Sequence, residues 1–210
     1  MGIVRSMERV VVLQGGGPFV SNDDLDADLL RGLGGPVAVL PTADAFERPG
    51  DLVRTAVEWG ARHGADVVPC PVYVRADALD ESNARIIRDA AAVWVVGDSP
   101  IHLRSTVMHT PVFQAIVACP LVVAVAGSAA ALCDPMVDPR GGAFALGLGL
   151  VRGLALITES ERWGRERLKR SLHLANTPVV ELPTGSALVR RDGSWTVHGA
   201  VTVHGDLPAA

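Results

Sequence analysis

Short apolar runs recur along this chain, each followed within two residues by glycine or proline. They are Val10–Leu13, Pro36–Leu40, Ala65–Cys70, Ala92–Val96 and Leu121–Val125. Runs of this length without polar alternation predict strands buried on both faces. The expected strands are therefore Glu8–Gln14, Pro36–Leu40, Ala65–Cys70, Ala92–Val96, Leu121–Val125 and Leu154–Thr158. Between them lie mixed segments that predict helices over Asp23–Arg31, Pro49–His63, Ala78–Ala90, Ile101–Met108 and Val112–Ala118. Ser21 or Asn22 is placed to cap the first of these, and Pro111 separates the last two. Strand and helix alternating through short connections is the pattern of a parallel sheet covered on both faces.

Past Pro139–Gly142 the pattern changes. A charged helix is expected over Ser160–Ala175, with Arg162, Arg165, Arg167, Lys169 and Arg170, and short strands at Val179–Leu182, Ala187–Arg190, Trp195–His198 and Ala200–His204. Asp192-Gly193 is a hairpin-turn signal between two of them. The fold class predicted is α/β: three layers, a mainly parallel sheet with helices on both faces, and a small antiparallel C-terminal flap. One domain over residues 1–210 is expected, with the parallel-sheet core at 8–158 and the charged helix and short strands at 159–210.

Ligands of such sheets bind beyond the carboxyl ends of the strands. Four loops are expected to converge there: Gly15–Pro18, Pro41–Asp44, Gly97–Pro100 and Ala126–Ser128. The glycines at 15–17 do not continue into Gly-Lys-Ser/Thr, so no phosphate loop is read there.

Composition narrows the chemistry. The chain is 49% hydrophobic but only 4% aromatic, so an aliphatic core is expected. A net charge of -4 argues against nucleic acid as a partner. No apolar run is long enough for a membrane span, and Met1–Arg9 carries no leader pattern. Cys70, Cys119 and Cys133 read as reduced core thiols, which suggests a cytoplasmic protein with neither disulfide nor metal site. No cofactor is implied.

The stretch Leu121–Cys133, LVVAVAGSAAALC, carries the most chemistry. A buried strand running into a small-residue turn and an alanine-rich helix start is how a nucleophile elbow is built. Read this way, Ser128 sits at the tip, with Ala126 and Ala130 in the two glycine places of Gly-x-Ser-x-Gly. Its Oγ would stand clear at the sheet's carboxyl end, with Gly97 and Ala129 as backbone oxyanion donors. The alternative is a buried strand entering a helix, with Ser128 as an N-cap. Asp134 and Asp138 are candidate orienting acids or simple caps. His102, just after Gly97–Pro100, is a candidate base. Cys133, five residues beyond the tip, is a remote candidate for amidotransferase-like chemistry.

The order of these pieces resembles the serine peptidase family that includes cyanophycinase and dipeptidase E, with a class I glutamine amidotransferase-like fold. The resemblance is carried by the glycine run Gly15–Gly17, Val96-Gly97-Asp98, Ala126–Ala131, Gly147–Leu150, Arg165/Arg167/Arg170 and Thr184–Val189. It implies a serine hydrolase with Ser128 as nucleophile, and a small peptide or amino-acid-like substrate read by Gly16, Asp98, Arg165 and Arg167. A homodimer is one expected assembly. The family's histidine, in an Asp-x-His-Phe run, is missing from Leu156–Trp163, where Glu161 falls close to its place. Carboxylates are weak bases unless burial raises their pKa. The second reading is accordingly an inactive member that binds such a ligand. Both readings require residue 128 at the rim of the sheet, not sunk in the interior.

Overall fold

The protein is described by a computed structural model over residues 9–208. Glu8, expected to open the first strand, and nearly all of Met1–Arg9 lie outside the described residues.

Five parallel strands form the centre. They are β1 (Val10–Gln14), β2 (Val37–Leu40), β3 (Val67–Pro69), β4 (Ala92–Val95) and β5 (Leu121–Val125). Their order is β1-β5-β4-β2-β3, all neighbours parallel. Alternate side chains of each strand enter opposite layers, as the pleat requires. Val93 and Val95 of β4 face one core, while Ala92 and Trp94 face the other.

Helices α1 (Asp23–Leu30) and α2 (Pro49–His63) cover the Trp94 face. The Val95 face is covered by α3 (Arg75–Leu79), α4 (Glu81–Arg88), α5 (Pro100–Val107), α6 (Pro111–Ala118) and α7 (Gly127–Leu132). The expected helix Ala78–Ala90 is in fact two, because Asp80 is extended and its carboxylate caps Ser82 N–H at 2.8 Å. Asn22 does stand at the cap of α1, but its side chain turns inward instead of capping. The core is not purely aliphatic. Trp59 packs between Phe19 and Trp94 in its α1/α2 layer, with tilted rings and centroids 5.1 Å apart in each pair, all three fully buried.

Beyond α7, two small strand pairs join β6 (Cys133–Asp134) to β9 (Val151–Arg152) and β7 (Met136–Val137) to β8 (Phe144–Ala145). The C-terminal strands divide between two sheets. β12 (Ala187–Arg191) and β13 (Ser194–His198) form a hairpin that extends the main sheet antiparallel to β1. β11 (Val179–Leu182) and β14 (Thr202–His204) instead join β10 (Ala155–Thr158) in a second sheet. The charged helix starts later than expected. A 3-10 turn occupies Ser160–Arg162, and α8 runs Arg165–Leu174. Its Leu168 and Leu172 pack against Ile157 and Val179 of the second sheet. No helix among the described residues is long and apolar enough to cross a membrane.

Candidate functional site

The four loops expected to converge do meet at the carboxyl ends of the parallel strands. Asp98 N–H donates to Asp44 Oδ1 (2.9 Å), and Ser99 N–H donates to Ala43 O (3.2 Å). Ser128 N–H donates to Gly97 O (2.9 Å), and Ala126 N–H donates to Gln14 O (3.1 Å). The groove above them has two lobes of about 190 and 230 Å3 that share Asp98 and Pro139. One lobe is lined by Gly127, Thr158, Glu159, Arg162, Trp163 and Arg167, the other by Asp44, Glu47, Ser99, Asp138 and Arg140.

Ser128 does not present its hydroxyl to this groove. The residue is 0% exposed, and its Oγ donates to Gly97 O at 3.2 Å. The strained position of the turn lies two residues earlier. Ala126 has φ 58 and ψ -131, a conformation that β-carbon-bearing residues avoid, and it follows the last strand residue directly. A nucleophile elbow is defined by this strain, which aims the tip residue's side chain past the sheet. Here the tip carries a methyl group. Gly127, the next residue, lines the groove and packs against the Asp98 backbone. Ala129 is not a free oxyanion donor, because its N–H is spent on Ala126 O at 3.0 Å. Gly97, at φ 118, turns its carbonyl to Ser128, accepting from both its N–H and its Oγ.

Ala126 itself is 2% exposed, packs in the α1/α2 layer and lines neither lobe. A second non-glycine residue with positive φ does line the groove. Glu159, at φ 47, ends β10, and its N–H donates to Gly15 O at 3.0 Å. Consecutive carbonyls at the end of β1, those of Gln14 and Gly15, thus hold Ala126 and Glu159. Gly16 is small because Glu159 lies over it; a Cβ there would sit 2.8 Å from Glu159 Cγ. Gly16 thereby supports Glu159, and it does not line the groove. Glu159 pairs with Arg162 at 2.7 Å.

The expected bases lie elsewhere. Glu161 accepts from Thr184 Oγ1 (2.6 Å) and Thr184 N–H (3.1 Å) on the exposed side of the 3-10 turn. Partial burial pushes its pKa up, but these bonds and Arg162 outweigh that and leave it below the ordinary carboxylate range. A carboxylate so stabilised is a poorer base still. His102 contacts Tyr73 O through Nε2 (2.9 Å) and packs with its ring tilted against Phe46 (centroids 4.5 Å apart), outside both lobes. Asp134 accepts from Gly147 N–H at 3.0 Å, and Asp138 pairs with Arg140. Cys133 is fully buried, and desolvation raises its thiol pKa, so it is no nucleophile.

Arg167 lines the groove, donating to Pro139 O (2.8 Å) with its guanidinium 4.1 Å from the Trp163 ring centroid. Arg165 is exposed and lines neither lobe. Asp98 is the acid the groove is built around. Partial withdrawal of its carboxyl from water, together with Asp44 and Glu159, raises its pKa to about 6 against the opposing pull of Arg162. The residue remains exposed overall, so it can meet a ligand. No group of three or more His, Cys, Asp or Glu among the described residues could hold a metal ion.

If Ser128 is structural, Ser128→Ala removes one buried hydrogen bond and nothing more. Gly97 O keeps its bond from the residue 128 N–H, so a loss of about 1 kcal/mol is expected in denaturant unfolding.

The sheet order defines a mainly parallel, two-faced α/β fold, and solved peptidase structures share it. It aligns with a peptidase from an acI-B1 actinobacterium at TM-score 0.83 and 21% identity, over 97% of this chain and 93% of that one. It also aligns with a protein of Listeria monocytogenes EGD-e provisionally assigned as a Peptidase E, at TM-score 0.68 and 13% identity, over 90% and 98%. No protein-family model and no curated protein sequence matches the chain. Residue 128, which both readings placed at the rim, is instead buried, so neither reading stands on that residue as expected. The likeness of fold rests on the alignments and not on Ser128, and the strained turn lies at Ala126.

Proposed function

We propose that this chain is a peptidase-fold protein that binds a small peptide or amino-acid-like ligand in the Asp98 groove and does not cleave it by a serine mechanism. The observation that carries this reading is the alanine at the strained tip. A hydroxyl is needed there, and Ala126 has none, while the nearest serine spends its hydroxyl on a backbone carbonyl. In the lobe of Asp44, Glu47 and Asp98 the one arginine, Arg140, is paired with Asp138, so these acids favour a cationic group on the ligand, such as an α-amine. Glu159, in the other lobe, is already paired with Arg162.

Calorimetric titration with free dipeptides and their N-acetylated counterparts tests this. Free dipeptides are expected to bind, with affinity falling as the pH drops through about 6 and Asp98 takes up its proton. Asp98→Asn is expected to weaken binding about tenfold, the scale of one charge-assisted contact. Mass spectrometry of the same mixtures is expected to show no cleavage. Cleavage that disappears in Ser128→Ala contradicts the reading.

The competing reading, a working serine hydrolase at Ser128, draws support from the description of both similar solved proteins as peptidases. It requires the Ser128 Oγ to leave Gly97 O and find a base that neither Glu161 nor His102 supplies in its present contacts.

A further inference from the structure

The end of β1 does more than hold the turn through its backbone. The Gln14 side chain points into the α1/α2 layer, where it is 1% exposed, and its Nε2 donates to Asp26 Oδ1 at 2.7 Å. Its Oε1 accepts from Asn22 Nδ2 at 3.3 Å. Asn22 and Asp26 are one helical turn apart at the start of α1, joined by Asp26 N–H donating to Asn22 O at 2.8 Å. Both are essentially fully buried, at 2% and 0%. Three buried polar atoms of this cluster have no partner: Asp26 Oδ2, Asn22 Oδ1 and Trp59 Nε1. A buried carboxylate cannot donate to Asn22 Oδ1, but a carboxylic acid can. A buried charge left with one hydrogen bond is also costly.

We propose that Asp26 is a proton-dependent brace for the strained turn: its protonation state, transmitted through the Gln14 side chain, sets the position of the backbone carbonyls that hold Ala126 and Glu159. In the protonated state Oδ1 accepts from Gln14 and the Oδ2 hydroxyl donates to Asn22 Oδ1. Loss of that proton to solvent removes the donor to Asn22 and draws the carboxylate toward the Trp59 indole N–H. The Gln14 side chain then follows the carboxylate, and because β1 is paired to β5 on one side and β12 on the other, the change reaches the Gln14 and Gly15 carbonyls only as a small shift. The groups facing Asp26 are Gln14 from β1, Asn22 and Asp23 from the start of α1, and Trp59 and His63 from α2. His63 and Arg62 are both drawn to Asp23, at 2.9 and 3.4 Å, which leaves Asp26 without an ion pair of its own. Burial raises its pKa to about 6, against opposing contributions from Gln14, His63 and the nearby Trp59 indole N–H and with a further rise from Asp23. The brace would therefore switch near neutrality. It does not depend on which ligand the groove takes.

Heteronuclear NMR across pH 4.5–8 tests it, following the amides of Ala126 and Glu159 and the Asp26 carboxyl carbon. In the natural sequence and in Asp98→Asn, the two amides and the carboxyl carbon are expected to titrate together with a midpoint near 6. In the double variant Asp98→Asn/Asp26→Asn, which removes the other carboxyl that titrates near 6 beside Glu159, keeps the Gln14 contact and supplies a permanent donor to Asn22, the amides are expected to stay still. The proposal is overturned if the amides do not move, if they still titrate in the Asp98→Asn/Asp26→Asn double variant, or if their titration is lost in Asp98→Asn alone. Should Asp26→Asn not fold, the carboxyl carbon decides: an Asp26 ionised throughout the range overturns the brace.

Thermal unfolding gives a second readout. A carboxyl that holds its proton more tightly in the folded chain favours folding when protonated. That contribution is complete below about pH 4 and is lost as the pH rises through about 6. Asp26→Asn is therefore expected to gain in unfolding midpoint over the natural sequence as the pH rises from 5 to 7.5. A difference that is flat with pH overturns the proposal.

Discussion

Installing a serine in place of Ala126 and a histidine in place of Glu159 is expected to create a hydroxyl that reacts with fluorophosphonates where the natural chain has none. The turn already supplies the backbone such a nucleophile needs, with φ 58 and ψ -131 at residue 126 and an N–H to follow at Gly127. The two substituted positions are held by adjacent carbonyls of Gln14 and Gly15. Glu159 already lies in the left-handed region at φ 47, which histidine enters more readily than most residues. Alone, Ala126→Ser is expected to label slowly. Adding Glu159→His is expected to raise the labelling rate about a hundredfold or more, the usual contribution of a positioned base. Adduct mapped by peptide mass spectrometry to the side chain installed at position 126 would support the assignment of the tip, and adduct at Ser128 would refute it.

The turn is also where the fold tolerates least. A Cβ on Gly127 would lie 2.9 Å from Asp98 Cα and closer still to Asp98 C and O. These are backbone atoms between β4 and α5, so no flexible side chain can yield. Gly127→Ala is expected to cost about 3 kcal/mol. In a chain of this size that lowers the melting temperature by about 6–12 °C. Gly50→Ala is the matched control. A Cβ there meets nothing within 4 Å, so the change is expected to be neutral or slightly stabilising. Equal melting temperatures for the two variants would show that the elbow is not packed as described.

Much of this architecture is legible in the apolar runs. Buried parallel strands need no polar alternation, so Val37–Leu40, Ala92–Val95 and Leu121–Val125 announce themselves, and the loops at their carboxyl ends follow. The register of the elbow is not legible from the same cue. Residues 126–131 are all small, so a Gly-x-Ser template fits at Ser128 while the backbone bends at Ala126. The better signal is the strand end itself, since the strained residue directly follows Val125. Sequence position favours Glu161 over Glu159 for a related reason. Two acids two residues apart look alike until a 3-10 turn sends one toward Thr184 and a left-handed residue turns the other toward the groove. The partnership of Gln14 with Asp26 has no local signature, because it depends on how α1 packs against β1. Nor does composition reveal that two of the few aromatics, Trp59 and Trp94, are among the largest fully buried side chains.

Treatment of the natural protein with a fluorophosphonate, followed by intact-mass measurement and peptide mapping beside a labelled control hydrolase, tests the central claim most directly. The account predicts an unmodified chain, because the tip of the elbow bears only a methyl group and the Ser128 hydroxyl is bound to Gly97 in the interior. A stoichiometric adduct on Ser128 would contradict it.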